Sequence, residues 1–347
     1  LMRALDADPR KRFLTAGEML EEFTSVAGSE HFPGFSAGPS PSLVESESTG
    51  VWELRLRRAL GDDYELFGPL GSGGFGRVYR VRDLHLERLV ALKVLHPLLT
   101  SDASVVERFR REAQLAARLH HPNIVNIYDI GGRSGLIWYT MELVEGPNLA
   151  QLVERDGPLP LDRVVRLLRE GLDALASAHA AGLVHRDVKP ENMLLERRDG
   201  SLRITDFGLA LALLGQGKWG GATSQSGTPQ FASPEQLLGE QVDQRSDLYS
   251  LAAVAAFALI GTSPFAGATP EQVLARQATD MLPDFREHRA DLGPEFAAVL
   301  TRALSAEVEA RYPTAGEFLQ AMNRALRKDQ QQQRGSGWVR RILGKRG

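Results

Sequence analysis

"HRDVKPEN", His185 to Asn192, is the stretch on which the reading of this chain turns. It sets a carboxylate (Asp187), an ammonium (Lys189) and a carboxamide (Asn192) within six residues, and "DFG", Asp206–Gly208, follows it. The flanking sequence is helical in pattern: "LDRVVRLLREGLDALASAHAAG" before it, then "DLYSLAAVAAFALIG", "PEFAAVLTRALS" and "AGEFLQAMNRALRK" after it.

Upstream the character changes. From about Asp62, "YELFGPLGSG", "GRVYRVRD" and "RLVALKVL" read as strands around Gly-rich turns. In "GSGGFGRV", Gly71, Gly73 and Gly76 permit close approach of backbone N–H groups to a polyphosphate. A plain hairpin turn is the alternative, whereas a dinucleotide fingerprint would need a helix to follow. Lys93 ends "VALK" in an apolar strand and needs a partner there or a route to solvent. Glu112 is one such partner, on a helix predicted from Val106, Phe109, Ala113 and Ala116-Ala117. Two short strands, "IVNIYDIG" and "LIWYTMEL", are expected next. A strand-rich part followed by a helix-rich one implies two lobes, with a ligand cleft at their junction.

Taken in order, these motifs and "SPE" at Ser233–Glu235 resemble the signature set of the eukaryotic-like (Hanks-type) protein kinases, in their bacterial serine/threonine branch. The resemblance runs from Asp62 to about Arg327. It implies an α+β, bilobal fold: an N-lobe over 62–144, with a five-stranded antiparallel sheet and one helix, and a helical C-lobe over 145–327. It also implies ATP with Mg²⁺, or Mn²⁺ as an alternative ion. Leu70, Gly71, Ser72, Gly73, Gly74, Phe75 and Gly76 would cover the nucleotide. Lys93, paired to Glu112, would hold the α- and β-phosphates. Val78 and Ala91 would wall the adenine, the Glu142–Val144 backbone would hydrogen-bond it, and Met141 would close the back of the pocket. Asp187 would accept the substrate hydroxyl's proton, Lys189 would reach the transferred phosphate, and Asn192 and Asp206 would hold the metal ions. Lys189 two residues after Asp187 matches serine/threonine-directed members.

The same resemblance assigns Glu235 a buried partner in Arg311, and Asp247 a brace under the catalytic loop, with an N-cap as its alternative role. Ser233 and Phe231 depart mildly from the family's usual Ala and Tyr. Between Asp206 and Ser233 lie Thr223, Ser224 and Ser226, candidates for autophosphorylation that Arg186 would pair, or else members of a hydroxyl-rich loop. Thr228 would line the substrate site.

The first twenty residues copy a stretch near the other end. Leu1 to Leu20 aligns with Leu300 to Leu319 at eleven of twenty identical positions, and Arg12 falls on Arg311. Residues 1–28 therefore resemble the closing helices of an upstream kinase domain in a tandem protein; a regulatory helix docked on this kinase is the alternative, and truncation at residue 50 separates the two. Residues 29–61 read as a Pro/Gly/Ser-rich flexible linker, and 328–347 as a flexible basic tail. The tail's "WVRRILGKRG" suits either an anionic membrane surface or water, which liposome co-sedimentation distinguishes.

Composition narrows the rest. A net charge of −3 over 347 residues carries no nucleic-acid footprint, and the absence of cysteine excludes disulfides and thiolate chemistry. "LAAVAAFALIG" is too short to span a bilayer and reads as a buried helix. The expected partners are ATP, protein serine/threonine substrates, an upstream kinase domain and, as an open alternative, a second copy of the chain. The kinase domain is expected in the cytoplasm, with membrane anchoring of a longer protein left open. A pseudokinase scaffold and a small-molecule kinase are the rival readings.

Overall fold

The computed structural model describes residues 49–73, 76–96, 103–207, 229–265, 267, 269–279 and 282–343. Residues 1–48, Gly74, Phe75, Gly208, Thr223, Ser224, Ser226 and Thr228 lie outside the described residues. Two compact units divide the chain, 1–55 and 56–347.

Helix α1, Thr49–Leu60, occupies part of the stretch expected to be linker. Its Leu56, Ala59 and Leu60, in the second unit, are buried. The reason was present in "LRLRRAL", where apolar residues recur at helical spacing between arginines. The Pro/Gly/Ser composition upstream masked it.

The second unit begins with five strands: β1 (Tyr64–Gly73), β2 (Gly76–Asp83), β3 (Arg88–Leu95), β4 (Ile127–Arg133) and β5 (Leu136–Met141). They form one antiparallel sheet in the order β1-β2-β3-β5-β4. Two register shifts in β1, at Leu66/Gly68 and Pro69/Gly71, bend the hairpin that carries the glycines. Helix α2, Ala103–Ala116, covers the sheet with Val105, Phe109, Ala113 and Ala116 buried. Val105, one position before the expected Val106, is the buried one, and Val106 packs at the margin.

The helical lobe follows: α3 (Leu149–Asp156), α4 (Leu161–Ala180), the short hairpin β6 (Met193–Leu195) and β7 (Leu202–Ile204), α5 (Pro234–Leu238), α6 (Gln244–Ile260), α7 (Pro270–Ala278), α8 (Phe285–His288), α9 (Pro294–Ala303) and α10 (Ala315–Leu343). Helix α6 is apolar on all sides and buried nearly throughout, which is why it runs through the core as the sequence anticipated. No helix among the described residues is long and apolar enough to cross a membrane.

The expected tail is helical to Leu343. Asp329 is buried and accepts hydrogen bonds from the backbone N–H groups of Glu295 (3.1 Å) and Phe296 (3.0 Å) at the start of α9. A carboxylate there satisfies donors that the helix itself leaves open. A Cβ on Gly293 would lie 2.0 Å from the Asp329 Cγ, so the glycine makes room for the acid. The packed part of the domain thus passes the expected boundary at 327, because Asp329 acts as a remote cap and its neighbours are good helix formers.

Candidate active site

A cleft of about 640 Å³ collects most of the residues that the sequence singled out. Leu70, Gly71, Ser72, Gly73, Gly76, Val78, Ala91, Lys93, Met141, Glu142, Val144, Asp187, Lys189, Asn192 and Asp206 all line it. Glu112 does not. Its walls also include Leu143 and Glu191 from the expected stretches, and Gly146, Asn148, Gln151, Leu194 and Thr205, which the motifs had not named. Leu194 was legible as the apolar residue alternating after Asn192; the others, among them Asn148 and Gln151 at the start of α3, are brought to the cleft by a course that only the fold sets.

The roof is the β1–β2 hairpin, closed by the pair Gly73 and Gly76. At Gly76 a Cβ would meet the Val94 carbonyl oxygen at 2.1 Å, so packing on β3 demands glycine. At Gly71 and Gly73 a Cβ would meet nothing within 4 Å. Both line the cleft, and without side chains they leave the room that close approach of a polyphosphate requires. At the back, Thr205 Oγ1 donates to Met141 Sδ at 3.6 Å. Along the edge, the Glu142 N–H donates to Asn126 O at 2.9 Å, which leaves the Glu142 carbonyl and the Val144 backbone to meet a base. The Glu142 carboxylate is held in turn by Asn126 Nδ2 (2.9 Å) and Arg203 (3.5 Å).

The floor is the loop His185–Asn192. Lys189 Nζ donates to both oxygens of Asp187, at 3.0 and 2.8 Å, while Asn192 Nδ2 donates to Asp187 O and Oδ2 at 2.8 and 3.0 Å. Burial opposes the Lys189 charge, but the Asp187 carboxylate outweighs it and holds the ammonium pKa above its usual value. Because Asn192 spends its amide nitrogen on Asp187, its oxygen is left as a hard donor in the cleft that the Asp206 carboxylate also lines. That pairing of oxygen ligands fits Mg²⁺.

Three buried contacts keep the loop in place. Asp247 accepts from the backbone N–H groups of His185 (2.8 Å) and Arg186 (2.7 Å), and its Oδ2 lies 2.8 Å from His179 Nε2. The N-cap of α6 is Asp243, which accepts from Arg245 N, so the brace is the role that Asp247 plays. His185 Nδ1 accepts from Asp187 N at 3.2 Å, so Nε2 carries the proton given to Thr205 O at 3.0 Å. Arg186 takes a left-handed φ of 66°, held by these bonds and by Gln236 Nε2 donating to its carbonyl.

The expected Lys93–Glu112 pair is absent among the described residues. Lys93 Nζ instead lies 2.6 Å from Asp206 Oδ2, with side chains 13% and 17% exposed. The lysine is directed across the cleft to an acid 113 residues away, which sits closer than the helix acid. Burial would raise the Asp206 pKa, yet the charge and hydrogen bond of Lys93 and the hydroxyl of Tyr139 hold it below the usual range.

Glu235 and Arg311 meet as expected. Arg311 Nη1 and Nη2 donate to Oε1 and Oε2 at 2.7 and 2.8 Å, and Ser246 Oγ donates to the same carboxylate. Arg311 also donates to Ser305 O and Ala306 O and lies over the Tyr249 ring.

Comparison with known proteins agrees with this geometry. A family model described as the protein kinase domain matches residues 64–332. The serine/threonine-protein kinase PknB of Mycolicibacterium smegmatis is 42% identical over 265 residues, covering 75% of this chain and 42% of that protein. The serine/threonine-protein kinase pkn3 of Myxococcus xanthus is 37% identical over 278 residues, 76% of this chain and 51% of that protein. The chain thus spans about half or less of the length of these relatives. The crystal structure of the Mycobacterium tuberculosis PknI kinase domain superposes with a TM-score of 0.61 at 31% identity, over 76% of this chain and 96% of that one. With the five-stranded sheet, the helical lobe and the cleft between them, the match over residues 64–332 places this chain in the protein kinase domain family.

Proposed function

We propose that this chain transfers the γ-phosphate of ATP to serine and threonine hydroxyls of proteins. The observation that carries the reading is the Asp187 carboxylate, held by Lys189 and Asn192 on the floor of the cleft that Lys93 and Asp206 also line. Asp187 accepts the proton of the incoming hydroxyl and orients it, and Lys189 meets the transferred phosphate. Asn192 and Asp206 would hold Mg²⁺, which would supply positive charge against the phosphate oxygens. The names of the relatives support the residue class of the substrate, and every position the reaction needs is filled, which speaks against a scaffold without transfer. Labelled ATP with Mg²⁺ tests it: transfer to the protein itself and to a generic basic protein, with label recovered as phosphoserine and phosphothreonine. Recovery on tyrosine alone, or none from folded ATP-binding protein, would overturn the reading.

Regulation by loop phosphorylation is part of the same proposal. Arg186 Nε is buried and has no hydrogen-bond partner among the described residues, and the guanidinium adjoins Asp187 in sequence. A phosphate on Thr223, Ser224 or Ser226 would supply the missing acceptor. Phosphopeptide mapping of active protein is expected to place phosphate on at least one of the three. Unmodified loop peptides in active protein would end the idea.

A further inference from the structure

Asp206 has two donors at once. Lys93 holds Oδ2, and the Tyr139 hydroxyl donates to Oδ1 at 2.6 Å. Tyr139 is one of six consecutive buried residues of β5 and stands directly opposite Lys93 in the β3–β5 register, so both side chains rise from the same face of the sheet. Its ring packs on Phe109 of α2 at 5.9 Å between centroids. Beside the ring lies a void of about 10 Å³, room for about one water. The phenol therefore has no space to swing aside unless its neighbours move.

We propose that Tyr139 is a positioning residue that latches Asp206 to Lys93 in a resting arrangement, which must open before nucleotide and Mg²⁺ are loaded. The inference rests on Asp206 as a metal ligand and Lys93 as a phosphate ligand. In the latched arrangement each is committed to the other, and the second carboxylate oxygen is committed to the phenol. A cation entering the cleft competes with the hydroxyl for the negative charge of Asp206. Phe109 and Glu112 lie on the same helix, so a shift of α2 that delivered Glu112 to Lys93 would also move the surface on which Tyr139 rests. The hydroxyl thereby links the helix position to the availability of Asp206.

Tyr139→Phe keeps the ring and removes one oxygen. Calorimetric titration of ADP at a series of Mg²⁺ concentrations is expected to show the half-saturating Mg²⁺ concentration falling about five-fold, the scale of one lost hydrogen bond. Adenosine binding without metal should stay at the wild-type value, which a general loosening of the lobe would not allow. An unchanged or higher Mg²⁺ requirement overturns the latch. Tyr139→Met is the second variant and should behave like the phenylalanine; if neither folds, the hydroxyl serves the fold and the proposal fails. Asp206→Asn separates the two levels of the argument. If Mg²⁺ dependence persists in that variant, the metal-ligand reading is wrong, whatever Tyr139 does.

Discussion

Asp187→Asn is expected to lower phosphoryl transfer by about 10²- to 10⁴-fold, the usual range for loss of a positioned general base, while leaving ATP binding and the melting temperature close to wild type. The carboxylate accepts both Lys189 bonds and one from Asn192. An asparagine keeps the shape and one acceptor oxygen but turns an N–H pair toward donors already there. The base is lost and Lys189 loses its counter-charge, so the reacting hydroxyl is neither deprotonated nor aimed. Single-turnover measurement of γ-phosphate transfer at saturating ATP isolates the effect. A residual rate within about ten-fold of wild type would overturn the role given to Asp187.

Arg311→Leu should produce the largest loss of stability, about 3–5 kcal/mol, because it strands the buried Glu235 carboxylate. For a domain of this size that corresponds to roughly 10 °C in melting temperature. The double variant Glu235→Leu with Arg311→Leu leaves neither charge unpaired and should recover part of the loss. A single variant within about 0.5 kcal/mol of wild type would show the pair to be dispensable.

The pair also sets an acid limit. Burial pushes the Glu235 carboxyl up, but the Arg311 hydrogen bonds and charge, with Ser246, outweigh it and hold its pKa below the usual value. A depressed folded-state pKa means that the contribution is complete above the unfolded value, about 4.3. It is lost as pH falls through the folded value. Denaturant titrations should therefore show a steeper acid decline for wild type than for the double variant, and parallel declines would contradict the assignment.

The catalytic loop, the glycine hairpin, the lysine strand and the Glu235–Arg311 pair were all legible in the sequence. Each depends on short-range chemistry: residue types at fixed spacing, or a motif whose partner the resemblance supplied. Less legible were features hidden by composition. Helix α1 lay behind a Pro/Gly/Ser stretch, and the glutamine run concealed the buried cap Asp329. The β6–β7 hairpin, at three residues per strand, is too short for a periodic signal.

By itself, the sequence determined the order of the main strands and helices and most of the chemical groups gathered at the cleft, because helix and strand periodicity and turn residues act over a few positions. Only the tertiary structure decided which donor each acid receives. Lys93 was expected to meet Glu112 or to reach solvent, and the fold brings it to Asp206 instead; Asp247 had two roles open, and the fold gives its carboxylate to the His185–Asn192 loop and the cap to Asp243. Hydrogen bonds and buried ion pairs are made or lost within about an ångström, so their partners are set by packing between residues far apart in the chain.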